Sequence, residues 1–241
     1  MWPFKSIDNL GKSGMFEGFT DWHSHILPGV DDGIRTMEES LETLAAFEES
    51  GIKKVWLTPH IMEDCPNTTQ SLRERFEELK EAYKGNITLR LAAENMLDAL
   101  FEERLNAGDL LPIGESGKYL LVETSYVNPP FGMDSMLEGI FNAGLTPVLA
   151  HPERYRYMDD DNYHKLKRMG VLFQANYVSL LGGYGETARK RLEWLLKEGY
   201  INLTGSDVHR KFTFDNALER SPKHAEPYRL LREVAKNPAI E

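Results

Sequence analysis

The chain of 241 residues contains a single cysteine, Cys65, so a disulfide framework is excluded. No stretch approaches the roughly 18 consecutive apolar residues of a membrane-spanning helix. The first residues, MWPFKSIDNLGKSG, lack the long apolar segment and the small-residue cleavage site of a secretory signal. These absences predict a cytoplasmic protein that is not inserted in a membrane.

Basic residues are in the minority, with 28 Lys and Arg against 38 Asp and Glu and a formal net charge of −10. Proteins that bind nucleic acid usually present a basic surface to the phosphate backbone. The sequence therefore predicts no nucleic-acid partner, although it leaves room for a local cationic pocket. A hydrophobic content of 41% excludes disorder as the dominant state.

Motifs of two common phosphate-handling classes are missing. No GxGxxG follows the first predicted strand, and GxxxxGK[ST] does not occur, so nucleotide-binding loops lose support. The CxxxxxR motif of cysteine-dependent phosphatases is also absent, because the sixth residue after Cys65 is Ser71. We interpret Cys65 as an incidental loop cysteine.

Short apolar runs alternate with helical patterns, which predicts an α/β fold with parallel strands, either a barrel or a doubly wound sheet. Residues 1–17 are predicted to be an irregular lead-in to one domain, 18–241, in which Asp215–Pro227 forms a loop before a final helix. Three helices are predicted from stripes of apolar residues over 37–45, 133–141 and 188–196. The seven predicted strands are Gly18–Trp22, Lys53–Thr58, Ile87–Ala92, Tyr119–Val122, Thr146–Ala150, Val171–Gln174 and Ile201–Thr204.

Side chains that can bind metal follow six of these runs. In a parallel barrel the carboxyl ends of all strands meet at one rim, where active sites lie. Five of the seven histidines and four carboxylates are placed there by the pattern. The predicted cluster consists of His23, His25, Asp32, His60, Glu94, Glu123, His151, Asp207 and His209.

Such a cluster is costly without cations, because buried carboxylates need compensating charge. Imidazoles combined with carboxylates suit Mn, Fe or Zn better than Ca or Mg. Nine ligands exceed what one tetrahedral ion accepts, so two or three divalent ions are expected. Three ions would leave the pocket with a positive charge that attracts a phosphate dianion, and they would lower the pKa of bound water to about 7.

The order HxH, Asp, TPH, Glu, Glu, HPER and SDxH resembles the PHP (polymerase and histidinol phosphatase) superfamily. Within it, HSHILPGVDDG, MEESLETLAAFEESGIKKVWLTPH and HPERY are similar to the bacterial protein tyrosine phosphatases of capsule and exopolysaccharide operons. The resemblance spans about Phe19 to His209. It implies a distorted (βα)7 TIM-like barrel with its active site at the carboxyl rim, and as substrate the tyrosine-rich tail of a bacterial tyrosine kinase.

The resemblance also implies which residues hold which ion, with Mn the favoured metal. It assigns His23, His25, Glu94 and Asp207 to the first ion, Glu94, Glu123 and His151 to the second, and Asp32, His60 and His209 to the third.

Two arginines are candidates for contact with the substrate phosphate. By resemblance Arg154, in the HPER motif, binds phosphate, and its guanidinium fork suits phosphate geometry. The family often has a second such arginine a few residues beyond SDxH. This chain reads SDVHRKFTFD, so Arg210 is either its replacement or directed elsewhere.

The sequence thus predicts a metal-dependent protein tyrosine phosphatase without a cysteine nucleophile. Two alternatives share the same residues: a small-molecule phosphatase such as histidinol phosphatase, and a catalytically silent scaffold that binds metal and a partner. A PHP exonuclease is disfavoured by the acidic charge. The oligomeric state stays open.

Overall fold

A computed structural model describes residues 8–241 as an α/β fold of parallel strands and surrounding helices. Its strands are β1 (Thr20–Ser24), β2 (Lys54–Leu57), β3 (His60–Ile61), β4 (Thr88–Leu91), β5 (Glu94–Met96), β6 (Tyr119–Glu123), β7 (Thr146–Ala150), β8 (Leu172–Asn176) and β9 (Leu203–Gly205). Its helices are α1 (Met37–Ser50), α2 (Thr69–Ala82), α3 (Ala99–Ala107), α4 (Met133–Asn142), α5 (Asp160–Met169), α6 (Gly185–Lys197), α7 (Lys211–Leu218) and α8 (Ala225–Lys236). No described helix is long and apolar enough to cross a membrane.

The strands form two parallel sheets, one in the order β1-β2-β4 and one in the order β3-β5-β6-β7-β8-β9. Main-chain hydrogen bonds continue between the two, since Ala92 N donates to Leu57 O at 2.9 Å and Glu94 N donates to Pro59 O at 3.1 Å. On the other side, a parallel bridge pairs Ser24 at the end of β1 with Val208 just beyond β9. The two sheets are therefore linked through main-chain contacts on both sides.

All seven predicted strands overlap an observed one, and two short strands, β3 and β5, were not predicted. β3 begins at His60, three residues after the end of β2 at Leu57, and β5 begins at Glu94, three residues after the end of β4 at Leu91. The three apolar stripes correspond to α1, α4 and α6, as predicted. The predicted loop Asp215–Pro227 is wrong at its start, because α7 continues through Leu218; its end is also wrong, because α8 begins before Pro227.

Helix α1 shows how local sequence sets the boundaries of an element. The Thr36 side chain accepts a hydrogen bond from Glu39 N and so satisfies a free amide of the first turn. The helix ends at Gly51, whose φ of 100° lies in the left-handed region that glycine adopts without strain. Between these caps Leu44 and Phe47 are fully buried and join the core.

Apolar side chains pack in two clusters. The larger contains helix and strand residues together, among them Leu44 of α1, Val55 of β2 and Leu149 of β7. The smaller, which we call the inner apolar cluster, lies among the strands, and in it the Trp22 and Trp56 rings stack at 5.9 Å. Its buried members are Trp22, Trp56, Ala92, Ile113, Leu121, Val148, Ala150, Leu203 and Ile240.

The predicted lead-in, residues 1–17, is described only from residue 8 onward; residues 1–7 lie outside the described part of the chain. Its described residues include a short 3-10 helix, Leu10–Lys12. Leu10 and Phe16 are buried in the larger cluster, and Leu10 N donates to Arg220 O at 2.9 Å. This segment is therefore packed onto the domain.

Candidate metal centre

Strand irregularities place the first candidate ligands. The register between β1 and β2 shifts between Asp21 and Ser24, and His23 lies inside this bulge. A bulge re-aims side chains, and Trp22 accordingly packs in the inner apolar cluster while the neighbouring His23 joins the polar group above it. His25 follows directly after β1.

Breaks in strand structure after β2 and β4 place two further candidate ligands. His60 and Glu94 are the first residues of the short strands β3 and β5, and they lie opposite each other in register. Nδ1 of His60 is 3.2 Å from Oε2 of Glu94. Two side chains 34 positions apart in sequence therefore meet because both strands break at the same level.

The remaining ligand candidates come from strand ends and the loops that follow. Glu123 is the last residue of β6, and His151 follows β7. Asp207 and His209 lie beyond β9, where Asp207 N donates to His23 O at 2.8 Å. Among the described residues, His151 (φ 33°) and Asp207 (φ 53°) are the two non-glycine residues with left-handed backbone. Such conformations are disfavoured for side chains other than glycine, and they concentrate at functional sites.

Close approach of β9 to β1 depends on a glycine. A Cβ at Gly205 would lie 2.6 Å from Cβ of His23 and 2.7 Å from its main-chain nitrogen, so no larger residue fits there. The absence of a side chain at 205 allows the loop carrying Asp207 to reach the β1 histidines.

All nine predicted metal ligands are brought together. In the described chain, four overlapping groups have ligand atoms within 4.8 Å of one another, and their combined membership is the predicted set. His164 and His224, the other two histidines, belong to none of them. The groups are His25, Asp32, His60 and His209; His23, His25 and Asp207; His23, Glu94 and His151; and His60, Glu94 and Glu123.

At the centre of the cluster, imidazole nitrogens and a carboxylate oxygen lie close together. Nε2 of His23 lies 3.1 Å from Nε2 of His25, and Oε2 of Glu94 is within 3.3 Å of both. The opposite ring nitrogens have partners, since Nδ1 of His23 is 2.8 Å from Oε1 of Gln174 and Nδ1 of His25 is 2.8 Å from Oδ2 of Asp31. If both Nδ1 atoms donate to these oxygens, the neutral rings direct two lone pairs at each other and at a carboxylate. A bound cation would stabilise lone pairs that face one another in this way.

Other atoms of the cluster lack partners within the described structure. Nδ1 of His60, Nδ1 of His151 and Oε1 of Glu123 are buried and form no hydrogen bond there. Nδ1 of His60 is 2.9 Å from Oε1 of Glu123 without hydrogen-bond geometry. Buried polar atoms are rarely left unsatisfied, and imidazole nitrogen with carboxylate oxygen is the donor set of Zn, Fe and Mn. The residues therefore fit divalent metal ions.

Charge within the cluster shifts its pKa values in the direction expected of a cation site. Burial alone lowers the pKa of His23, but the charges of Glu94 and Asp207 outweigh it and raise the pKa to about 9. Burial alone raises the pKa of Glu94, yet the charges of His23 and His60 hold that pKa well below its usual range. The pKa of Asp207 is likewise held well below normal against burial, chiefly by His23.

Residues that orient the ligands escaped the sequence analysis. Asp31 accepts from His60 N at 3.0 Å and from Gly33 N at 2.9 Å besides contacting His25. Gln174 contacts His23, and Nδ2 of Asn176 donates to Oδ2 of Asp207 at 2.7 Å. Metal-binding histidines commonly use their second nitrogen in this way. The adjacent aspartates of GVDDG were the one available signal for Asp31.

The two predicted phosphate-binding arginines have different surroundings. Nη1 of Arg154 donates to Oδ2 of Asp207 at 2.8 Å, which places the guanidinium beside the cluster. Nη1 of Arg210 instead donates to the main-chain oxygens of Asp32 (2.7 Å), Gly33 and His209. Arg210 thus bonds to the loop that carries Asp32.

A cavity of about 640 Å³ borders the centre on the side of Arg154. Its wall includes Tyr126, Arg154 and Tyr184 together with the exposed Arg156. A cavity of this size is large enough for an amino-acid side chain, and it meets the cluster through Arg154, which contacts Asp207.

The chain is similar to bacterial proteins that are named tyrosine-protein phosphatases. It is 30% identical over 202 residues to the tyrosine-protein phosphatase CpsB of Streptococcus pneumoniae. The matched region covers 78% of this chain and 82% of that protein. The chain is 29% identical over 209 residues to the tyrosine-protein phosphatase YwqE of Bacillus subtilis strain 168, with 82% of each covered.

Its fold matches a solved chain from the crystal structures of YwqE from B. subtilis and CpsB from S. pneumoniae, described as unique metal-dependent tyrosine phosphatases. That match has a TM-score of 0.73 at 24% identity and covers 92% of this chain and 96% of the other. The family model described as capsular polysaccharide synthesis, CpsB/CapC, matches residues 19–237. On this extent of similarity, the chain belongs to the CpsB/CapC family of capsular polysaccharide synthesis.

Proposed function

We propose that this protein is a metal-dependent protein tyrosine phosphatase, which hydrolyses phosphotyrosine to tyrosine and inorganic phosphate. The observation that carries the proposal is the junction of His23, His25 and Glu94, where two imidazole Nε2 atoms and a carboxylate oxygen lie 3.1–3.3 Å apart. The nine clustered residues would hold two or three divalent ions, with Mn favoured and Fe or Zn as alternatives. When bound, such ions lower the pKa of water and neutralise phosphate charge.

The protein's own groups supply orientation and charge around these ions. Asp31 and Gln174 hold the rings of His25 and His23 so that their Nε2 atoms face the centre. Arg154 is the proposed contact for phosphate oxygens, and Arg210 the anchor of the Asp32 loop. The leaving group is the tyrosine oxygen, and because its phenol has a pKa near 10, its departure makes a modest demand on any acid.

We propose further that 18–241 is one catalytic domain with a distorted seven-stranded barrel. Support comes from the hydrogen bonds of Ala92 and Glu94 that link the two sheets and from the Ser24–Val208 bridge, which links the first strand to the end of the last. If β3 is counted with β2 and β5 with β4, seven strands surround the inner apolar cluster.

The proposed substrate is a phosphotyrosine-containing protein, and the proposed partner a bacterial tyrosine kinase that controls capsule or exopolysaccharide synthesis. Support comes from CpsB and YwqE, both named tyrosine-protein phosphatases, and from the capsular family. The cytoplasm is the proposed location, consistent with an unpaired cysteine.

Cys65 offers no competing nucleophile. Its thiol is partly buried and donates to Val30 O at 3.3 Å, and burial raises its pKa above the ordinary value. A nucleophilic cysteine needs the opposite shift, toward the thiolate.

Metal removal tests the proposal directly. Purified protein is analysed for bound metals, and turnover of a phosphotyrosine peptide is measured before chelation, after chelation and after addition of Mn. We expect chelation to abolish turnover and Mn to restore it, whereas Cys65→Ser keeps wild-type turnover and His151→Ala loses both metal and most turnover. Activity that survives complete metal removal, or that disappears in Cys65→Ser with metals retained, would refute the mechanism.

The alternatives are separated by substrate. Histidinol phosphate hydrolysed with a higher kcat/KM than phosphotyrosine peptides would assign the site to small-molecule chemistry. Metal-loaded protein that is inert toward every phosphoester would instead indicate a silent scaffold.

A further inference from the structure

Arg154 lies between two aromatic rings. Its Cζ is 4.2 Å from the ring centroid of Tyr126 and 4.1 Å from that of Tyr184. Tyr126 comes from the loop after β6 and Tyr184 from the residue before α6, so two distant segments close on one side chain. The guanidinium carbon therefore lies over two rings at stacking distance, which leaves the N–H edge as the part of Arg154 most open to a ligand.

That edge retains free hydrogen-bond donors. A guanidinium has five N–H groups, and in the described structure the side chain of Arg154 makes one hydrogen bond, from Nη1 to Asp207. The side chain is 19% exposed and borders the 640 Å³ cavity. A cation shielded from water in this way binds an anion more strongly than an exposed arginine does.

The two tyrosines hold Arg154 by different means. The Tyr184 hydroxyl donates to Oδ2 of Asp207 at 3.0 Å, the same oxygen that accepts from Arg154. The Tyr126 hydroxyl has no such bond within the described chain, so this residue acts through its ring. Stacking on tyrosine faces is a recognised mode of arginine binding.

We propose that Tyr126 and Tyr184 are positioning residues that form an aromatic clamp on Arg154, fixing its free N–H edge toward the substrate phosphate. The changes it predicts in kcat/KM rest on the proposed phosphatase function, whereas the changes it predicts in the Kd of phosphate rest on phosphate binding alone. It has a steric consequence: the two tyrosine rings compete with the phenyl ring of the substrate for the space over Arg154. We therefore expect the substrate to approach along the guanidinium edge from the cavity.

Ring removal tests the clamp. We compare Tyr126→Leu and Tyr184→Leu with Tyr126→Phe and Tyr184→Phe, using Tyr157→Leu as the matched control, since Tyr157 lies nearby without contacting Arg154. Two quantities are measured on metal-loaded protein: the Kd of inorganic phosphate by calorimetry, and kcat/KM for a phosphotyrosine peptide. Loss of one ring should weaken both about 3- to 30-fold, the range for an aromatic contact with a cation.

The phenylalanine variants keep the rings, so they should recover most of the loss, and Tyr126→Phe should recover nearly all of it. Metal content and Tm should change little in the Tyr126 variants. A loss in Tyr126→Leu that Tyr126→Phe does not reverse, or one matched by Tyr157→Leu, would overturn the clamp.

A double-mutant cycle separates a clamp from direct contact with substrate. Arg154→Ala alone should reduce kcat/KM by about 10- to 200-fold, as expected for loss of a charge-assisted contact. In that background Tyr126→Leu should have little further effect, because the ring acts through Arg154. An undiminished effect of Tyr126→Leu would show that the ring acts independently and would overturn the proposal.

Failure of the phosphatase assignment gives a different pattern. Wild-type protein would then lack turnover, while the phosphate Kd would still respond to Tyr126→Leu only when Arg154 is present. Turnover in the wild type with a phosphate Kd that ignores both tyrosines would retain the phosphatase and reject the clamp.

Discussion

The inner apolar cluster and the buried part of the candidate metal centre lie on the same strands, whereas Asp32 at the edge of that centre is exposed. Trp22 is 3% exposed and His23 is fully buried, although they are neighbours in β1. On β6, Leu121 belongs to the apolar cluster and Glu123, two residues further, to the metal centre. Apolar and ionisable side chains that are equally buried therefore lie only one or two residues apart in sequence.

Burial therefore has opposite effects on the free energy of folding in the two regions. Apolar side chains stabilise the fold by about 25 cal/mol for each Å² removed from water. Buried carboxylates and imidazoles require compensation, and without it their desolvation opposes folding. The apolar cluster therefore stabilises the fold, whereas burial of the candidate metal ligands is explained by the metal binding proposed for them.

The largest expected effect is on the polar side of this comparison. Glu94→Gln keeps the shape of the side chain but removes the carboxylate that lies within 3.3 Å of His23, His25, His60 and His151. We expect loss of bound metal and a decrease in kcat/KM of more than about a hundredfold, since even partners of metal ligands account for 10- to 100-fold. Metal analysis and steady-state kinetics measure both.

Glu153→Gln is the matched control, because Glu153 is also a buried carboxyl but belongs to none of the four ligand groups. Its Oε1 accepts from Asn176 N and Ser179 Oγ instead. It should retain metal. Equal metal loss in the two variants would mean that burial of any carboxylate, and not ligation by Glu94, determines metal content.

On the apolar side, Ile113→Ala should affect stability and leave the chemistry intact. Ile113 is fully buried in the inner apolar cluster, and the truncation should cost about 2–5 kcal/mol of unfolding free energy. Denaturant unfolding measures this cost, and kcat/KM per folded, metal-loaded molecule should stay at the wild-type value. A large decrease in that value with unchanged stability would show that the two regions are not separable.

A smaller effect is expected from the residue that orients His25. Asp31→Asn removes the charge next to Nδ1 of His25 and permits either tautomer of the ring, so Nε2 no longer reliably presents a lone pair. We expect kcat/KM to decrease about 10- to 100-fold with weaker metal binding. Metal titration of the variant checks this, and wild-type affinity would indicate that Asp31 acts only through its bonds to Gly33 N and His60 N and not through His25.

The sequence was most informative where chemistry is tied to residue type. Histidine and carboxylate after successive apolar runs were enough to predict the nine residues that the structure brings together, and their binding of metal stays a prediction. The α/β class followed from the alternation of runs. The short strands that begin at His60 and Glu94 were not predictable, because they depend on how neighbouring strands pair and not on local propensity.

Contacts between distant segments were equally hidden. Tyr126 and Tyr184 are ordinary aromatic residues in sequence, and their meeting at Arg154 depends on the tertiary arrangement of two loops. Arg210 illustrates the reverse case, since its position after SDxH suggested a phosphate contact, while its Nη1 bonds to main-chain oxygens.

The left-handed backbone at His151 and Asp207 bears on how such a site evolves. Glycine would adopt these conformations without steric penalty, so selection for activity is what would keep histidine and aspartate at both positions. A descendant released from selection for catalysis should lose these two side chains early, and their loss would mark lineages that have retained the fold after abandoning the reaction.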